Sequence, residues 1–283
     1  MTTDYAAWIG KPRSTPGQIT QQLAAMLHAT LGTPKDEPPE NGDIAPHLWH
    51  WAAFAPTVPM SDLADDGHQH RGDFLPPVPH PRRMWAGGEL TFHAPLHIGA
   101  PLTQISTVTA IERKSSRMVF VTVAHEIYQS DIHALSERHT IAYVDIPPAY
   151  APPVPKPVPA TPVFTKSEPM PITRLFRYSA VTFNAHRIHY DLSYAKDVEN
   201  YPGLVVHGPL QATLMLSHAV AYSQRSPGHF TYRGVHPMFH DDPMQVLGYD
   251  PTDTALSLCT AKPGSHQGMQ ATVTWASEKR PGP

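Results

Sequence analysis

Apolar residues recur at near-helical spacing over Gln18–Leu31, where Ile19, Leu23, Met26, Leu27 and Leu31 predict a helix. Between Arg117 and Tyr128 the pattern changes to alternation. Val119, Val121, Val123 and Ile127 mark one face of a strand, and His139, Ile141 and Tyr143 alternate in the next. Thr173–Ser179 also reads as a strand. A second helix is predicted at about Pro209–Ser223, apolar or small nearly all round, followed by short strands near Phe230–Phe239, Met244–Tyr249, Ala255–Thr260 and Ala271–Trp275. A helix polar on one side can lie on a surface, whereas one apolar on every side must be wrapped. One wrapped helix among antiparallel strands predicts a sheet curled around it, an α+β arrangement. Helix and sheet occur in both halves, so the order of elements suggests an internal duplication without clear sequence identity between the halves.

Proline sharpens the division. The chain has 283 residues and 33 prolines, ten of them between Pro147 and Pro171. Such a stretch lacks the donors of a helix or central strand and favours extended geometry. It reads as a stiff linker, 148–170, between a first half, 1–147, and a second, 171–283. Apolar residues make up 41% and charged residues 16%, so a real core is available although charge falls below the ~25% of a typical domain. The net charge of −3 argues against nonspecific nucleic-acid binding, which needs a basic field. No run approaches the ~20 apolar residues of a membrane span, and the start lacks a signal peptide's apolar stretch, so a cytoplasmic protein is expected. Cys259, the single cysteine, excludes an intramolecular disulfide and reads as a buried thiol.

The candidate chemistry is concentrated in Asn184-Ala-His-Arg-Ile-His-Tyr-Asp191, with Val206-His-Gly-Pro209 following at the start of the second helix. Two histidines, an asparagine, an arginine and an aspartate fall within eight positions of an apolar neighbourhood. Here the sequence resembles the MaoC-like, or R-specific enoyl-thioester hydratase, superfamily of hotdog-fold enzymes. That family's pattern is Asp, any residue, Asn, two residues, His, any residue, Asp, with an Ala four residues on and a His-Gly later. His189, Asp191, Ala195 and His207-Gly208 match; Asn184 and His186 stand where the family has its catalytic Asp and its Asn. The Thr182-Phe-Asn-Ala-His-Arg-Ile-His-Tyr-Asp191 version and the first half's Pro81-Arg-Arg-Met-Trp-Ala-Gly-Gly88 are similar to one branch. It holds the type-2 hydroxyacyl-thioester dehydratases and the mesaconyl-C4-CoA and itaconyl-CoA hydratases. The resemblance implies a double hotdog whose second half carries the catalytic histidine, a CoA thioester as substrate, and no cofactor or metal. Homo-oligomerisation is left open.

Elementary chemistry points the same way. Hydration of an enoyl thioester needs a group to take a proton from water, one to protonate the α-carbon, and donors for the enolate oxygen. His189 suits the proton work, because imidazole titrates near neutral pH. Gly208, at a helix N-terminus, offers an unhindered N–H where the helix dipole favours negative charge. Asn184 can orient a water, with Asp191 holding the tautomer of His189 or sharing the base role. Arg187, His186, His207, Arg82, Arg83 and Trp85 are the candidate substrate-binding residues, and an arginine suits a distal substrate carboxylate. Bland roles stand beside these: Asn184 as a helix cap, Asp191 as a cap or partner of Arg187, His207 as a prop for its loop, Arg82 and Arg83 on CoA phosphate or in solvent. His186, His189 and Asp191 lack the HExxH pattern of a zinc site. His68 and His70 read as part of a solvated loop. A hotdog thioesterase and a noncatalytic acyl-thioester-binding module remain as competitors.

Overall fold

The computed structural model describes residues 5–32 and 37–277. Strand β1 (Pro12–Gln18) leads into helix α1 (Gln21–Leu31), and four long strands follow: β2 (Arg82–Phe92), β3 (Pro101–Ser115), β4 (Met118–Gln129) and β5 (Ile132–Val144). The second half comprises β6 (Phe164–Ser167), α2 (Ile172–Val181), α3 (Gly208–Ser223), β7 (Pro227–Gly234), β8 (Gln245–Tyr249), β9 (Ala255–Lys262) and β10 (His266–Trp275). All ten strands join in one antiparallel sheet, in the order β1-β3-β4-β5-β2-β7-β10-β9-β8-β6. The two halves therefore occupy separate runs of one sheet and meet where β2 pairs with β7, from Gly87 opposite Arg233 to Thr91 opposite His229.

The periodicities explain most of this. Residues Leu210–Leu216 of α3 are all buried, and the polar ones among them are satisfied. Gln211 accepts from the Thr260 hydroxyl at 2.6 Å, and that hydroxyl accepts from the Met269 N–H at 2.8 Å. On β4, Val119, Val121, Val123 and Ile127 are buried, as the alternation predicts. His125 interrupts that apolar face and, with His139 of β5, opens onto a cavity. The segment read as a linker is strapped down. Gln267 Nε2 donates to the Pro157 carbonyl and Asn200 Nδ2 to that of Pro147, and β6 forms within it by pairing with β8 at the sheet edge.

Two expectations are corrected. The predicted helix starts later, because Gln18 belongs to β1 and Thr20 caps α1 by accepting from the Leu23 N–H; Met26 faces solvent. Thr173–Ser179 is not a strand but the body of α2. Its buried residues Leu175, Tyr178 and Ser179 follow the i, i+3, i+4 spacing of a helix, and Phe176 is exposed. Arg174 fastens α2 to α1 by donating to the Thr30 and Leu31 carbonyls at the C-terminus of α1 and pairing with Glu168. Because α2 carries the chemistry-bearing segment at its end, Arg174→Met should loosen that support. A loss of about 1–3 kcal/mol in urea unfolding is expected, and an unchanged midpoint would show that this bridge is dispensable.

Candidate active site

A cavity of about 1250 Å³ runs between the two halves. Asn184, His186, His189, Gly208, Arg82, Arg83 and Trp85 line it; His207, Arg187 and Asp191 do not. Helix α2 ends at Val181, Phe183 with a φ of +52° turns the chain, and Asn184 then accepts from the His186 N–H through Oδ1 at 3.0 Å. This local loop leaves the Asn184 amide hydrogens for the cavity.

His189 lies in the short helical turn Arg187–His189. Its Nδ1 donates to the Val205 carbonyl at 2.7 Å, so the neutral ring keeps its lone pair on Nε2. Burial, then the imidazoles of His207 and His186, hold its pKa well below the ordinary histidine range. His207 lies stacked on it, 3.7 Å between ring centroids, completely buried and bonded through Nε2 to the Ser179 hydroxyl. The structure thus makes His207 a support for His189 rather than a substrate contact. Gly208 begins α3, where the first N–H groups lack intrahelical partners. A Cβ there would lie 2.7 Å from the Trp85 ring, so only glycine lets this aromatic close over the helix end. Trp85 in turn stacks on Tyr232 at 4.5 Å.

Asp191 and Arg187 are placed together outside the cavity. Arg187 donates to Asp191 Oδ2 through Nε at 3.0 Å and through Nη2 at 2.8 Å, and Asp191 Oδ1 caps the next turn by accepting from the Tyr194 N–H. Neither reaches the position that a base or a substrate clamp requires, and the tautomer of His189 is set by Val205 instead. Arg82 is also committed: it pairs with buried Glu199 at 2.7 Å and lies over the Tyr201 ring. Arg13 pairs with Asp73, and Arg71 donates to the Val78 and His80 carbonyls. Among the described residues, Arg83 is the cavity-lining arginine that has neither an ion pair nor a hydrogen bond.

The loop that carries His68 departs from expectation. His68 is not solvated; it lines the cavity with its ring centroid 4.2 Å from that of His186. Its Nδ1 bonds to Asp66 Oδ2 at 3.0 Å, and its N–H to Asp66 Oδ1 at 2.9 Å. Burial would raise the Asp66 carboxyl, but these bonds and the charge of His68 outweigh it and hold the pKa below the usual carboxylate range. Donor atoms of Asp66, His68 and His186 lie within 4.8 Å of one another, a spacing that a metal ion could draw together. Nothing local in Asp65-Asp66-Gly67-His68 signals this placement, because the partner is 118 residues away by the difference between positions 186 and 68.

Comparisons with known proteins place the whole chain, rather than its individual site residues, among relatives. Residues 48–240 match the family model of hydroxyacyl-thioester dehydratase type 2. The chain is 40% identical over 278 residues to the mesaconyl-C4-CoA hydratase of Chloroflexus aurantiacus, covering 96% of this chain and 98% of that one. In fold it is similar to a MaoC-like dehydratase from Phytophthora capsici, with a TM-score of 0.72 at 12% identity over 98% and 99% of the two chains. A Mycobacterium tuberculosis protein with a double hotdog fold superposes with a TM-score of 0.60 at 12% identity, covering 94% and 96%. The double hotdog expected from the sequence is the architecture of this chain.

The buried imidazoles make stability depend on pH. Burial is the main cause that lowers His68, His125 and His207 to about 3; Arg83 adds to it at His68, His139 at His125 and His186 at His207. A folded pKa below the unfolded 6.5 means that the unfolded chain binds more protons between these values. Stability from these groups is complete above about pH 6.5 and is lost as the pH falls toward 3. The urea midpoint should therefore decline steadily from pH 7 to pH 4; a flat midpoint over that range would contradict the buried neutral assignment.

Proposed function

We propose that this chain, which belongs to the hydroxyacyl-thioester dehydratase type 2 family, reversibly hydrates a short dicarboxylic enoyl-CoA such as mesaconyl-C4-CoA or itaconyl-CoA. It is a hydro-lyase of acyl-CoA thioesters. The observation that carries the reading is the pairing, in one cavity, of His189 with the start of α3: an imidazole whose Nδ1–H is spent on Val205 faces chemistry at a bare helix N-terminus. Among the described residues no helix is long and apolar enough to cross a membrane.

In the addition direction, the Asn184 amide holds the water and Nε2 of His189 takes its proton. The hydroxide oxygen bonds to the β-carbon, and the double-bond electrons move onto the thioester as an enolate. The Gly208 N–H and the α3 dipole stabilise the enolate oxygen. The α-carbon then receives the proton from the imidazolium, which restores His189. Each step runs backward in dehydration. Low proton affinity keeps His189 unprotonated well into the acid range, so activity should persist below the pH at which an ordinary histidine is half charged.

The acyl group is assigned from Arg83. A distal carboxylate in a partly dry cavity needs a cation, and Arg83 is the lining arginine not already engaged. In a C5 dicarboxylic ester that carboxylate sits next to the carbons that react, which suits a guanidinium close enough to His68 to lower its proton affinity.

Three measurements test this. Screening enoyl-CoA esters for loss of the conjugated double bond should show mesaconyl-C4-CoA or itaconyl-CoA turned over far faster than crotonyl-CoA; release of free thiol without a hydrated product would make the protein a thioesterase instead. His189→Ala should lower kcat ~10²–10⁴-fold with the fold retained, and near-normal turnover would remove His189 from the mechanism. Arg83→Met should cut the preference for the dicarboxylic ester over crotonyl-CoA about tenfold or more, as loss of a charge-assisted hydrogen bond of ~1.5–3 kcal/mol implies. Equal loss on both esters would instead assign Arg83 to the CoA portion that they share.

A further inference from the structure

His68, His186 and His189 form a chain of rings, with centroids 4.2 Å apart in the first pair and 5.4 Å in the second. His186 is only 4% exposed, and its Nε2 is buried without a hydrogen-bond partner. Protonating His189 during the reaction places a positive charge among His68, His186 and His207, all of which oppose it. A cation formed in a desolvated site needs a nearby carboxylate. Glu199 Oε1 lies 3.9 Å from His186 Nε2, but Glu199 is already paired with Arg82. Asp191 is paired with Arg187 outside the cavity. Asp66 has no arginine or lysine partner and bonds directly to the first ring of the chain.

The loop that carries Asp66 is fitted to the site. Gly67 has φ +88°, and a Cβ there would lie 1.8 Å from the Ala185 carbonyl oxygen. The Arg187 N–H donates to the Asp66 carbonyl at 3.0 Å, and Arg187 Nη1 to the Asp65 carbonyl at 2.9 Å. The arginine of the motif, oriented by Asp191, is thus a clamp that holds the first half's loop against the second half's histidines.

We propose that Asp66, acting through His68, is a positioning carboxylate of this active site, supplied by the first half of the chain: it fixes His68 as the Nδ1–H tautomer and provides the countercharge for the imidazolium formed at His189. The inference rests on the reading of His189 as the base. Asn184, neutral and beside His186, cannot supply that charge. A metal ion is the rival occupant of Asp66, His68 and His186, but both Asp66 oxygens are taken by His68 donors and the Arg83 charge acts on the same ring.

The test compares the wild type, Asp66→Asn, His68→Gln and the double variant Asp66→Asn/Asn184→Asp on the ester that the wild type turns over best. It measures kcat and KM across pH, melting temperature and bound metal. Asp66→Asn and His68→Gln should each lower kcat at least tenfold, with KM within threefold. Removing the anion makes the imidazoles harder to protonate, so the acid limb of kcat/KM should move to lower pH in Asp66→Asn. Arg82, Arg83, His207 and Glu199, the other charged or titratable groups around the chain, are unchanged in these variants. Adding Asn184→Asp should recover at least fivefold of the lost rate by returning a carboxylate beside His186. Asp66→Asn within threefold of the wild type, or an unmoved acid limb, overturns the proposal; so does a rate loss matched by a lowered melting temperature that Asn184→Asp leaves unrelieved. Stoichiometric zinc, lost together with activity in both single variants, overturns it in favour of a metal centre. A wild type inactive on every ester overturns the proposed function and this inference with it, whereas an active wild type with an active Asp66→Asn overturns this inference alone.

Discussion

The pairing of β2 with β7 is the joint from which the cavity is built. Antiparallel hydrogen bonding sets the register there, and a slip of one residue would turn each side chain of β2 to the other face. Just before the joint, the register of β2 against β5 shifts between Trp85 and Gly87, an irregularity of the kind that re-aims a side chain. Trp85 lands on Tyr232 of β7 and closes over Gly208 at the head of α3. Arg82, three residues earlier, reaches Glu199 in the second half. Neither half lines the cavity alone: the second contributes Asn184, His189 and the helix start, and the first contributes the aromatic cover, both β2 arginines and the His68 loop.

Burial sets the electrostatics. Charged groups at and behind the cavity wall are largely matched, Arg82 by Glu199 at the wall and Asp66, behind His68, by its two bonds to that residue. Behind the lining residues Trp51 and His139, Glu137 is buried between His50, His139 and the Trp51 indole N–H, and those partners keep its carboxyl well below the ordinary range although burial alone would raise it. His189 and His207 are held neutral chiefly by desolvation. This leaves lone pairs ready to accept protons and, among the described residues, the Arg83 guanidinium lining the cavity without an ion pair or hydrogen bond.

What was legible in the sequence was whatever local pattern encodes. Helix α3 had to be wrapped because no side of it is polar, and the valines of β4 announced their face by alternation. Asn184, His189 and Gly208 were legible as a motif, and the arginines and Trp85 of β2 as its companion in the other half. The failures are nonlocal. In α2 the apolar Leu175 and Phe176 are adjacent in sequence, and only the packing in three dimensions, including the contact with α1, reveals that Leu175 is the buried one. Arg187 and Asp191 look like site residues because they lie inside the motif, yet their work is to hold Asp65 and Asp66 from across the fold. His68 looked solvated because its neighbours in sequence are polar; its neighbours in space are His186 and Arg83.

In the proposed reaction Arg83 joins substrate choice to proton transfer. Its charge is the second largest cause, after burial, that depresses His68, while Asp66 pulls in the opposite direction. A carboxylate bound to Arg83 cancels much of that positive field where the dielectric is low and Coulomb forces are strong. The opposition to a proton on the imidazole chain then weakens only when the anionic substrate is in place. A monocarboxylic ester of the same length leaves Arg83 uncompensated and the chain harder to charge. In that proposed reaction a distal carboxylate would do more than hold the substrate: it would complete the charge balance in which His189 accepts the proton from water.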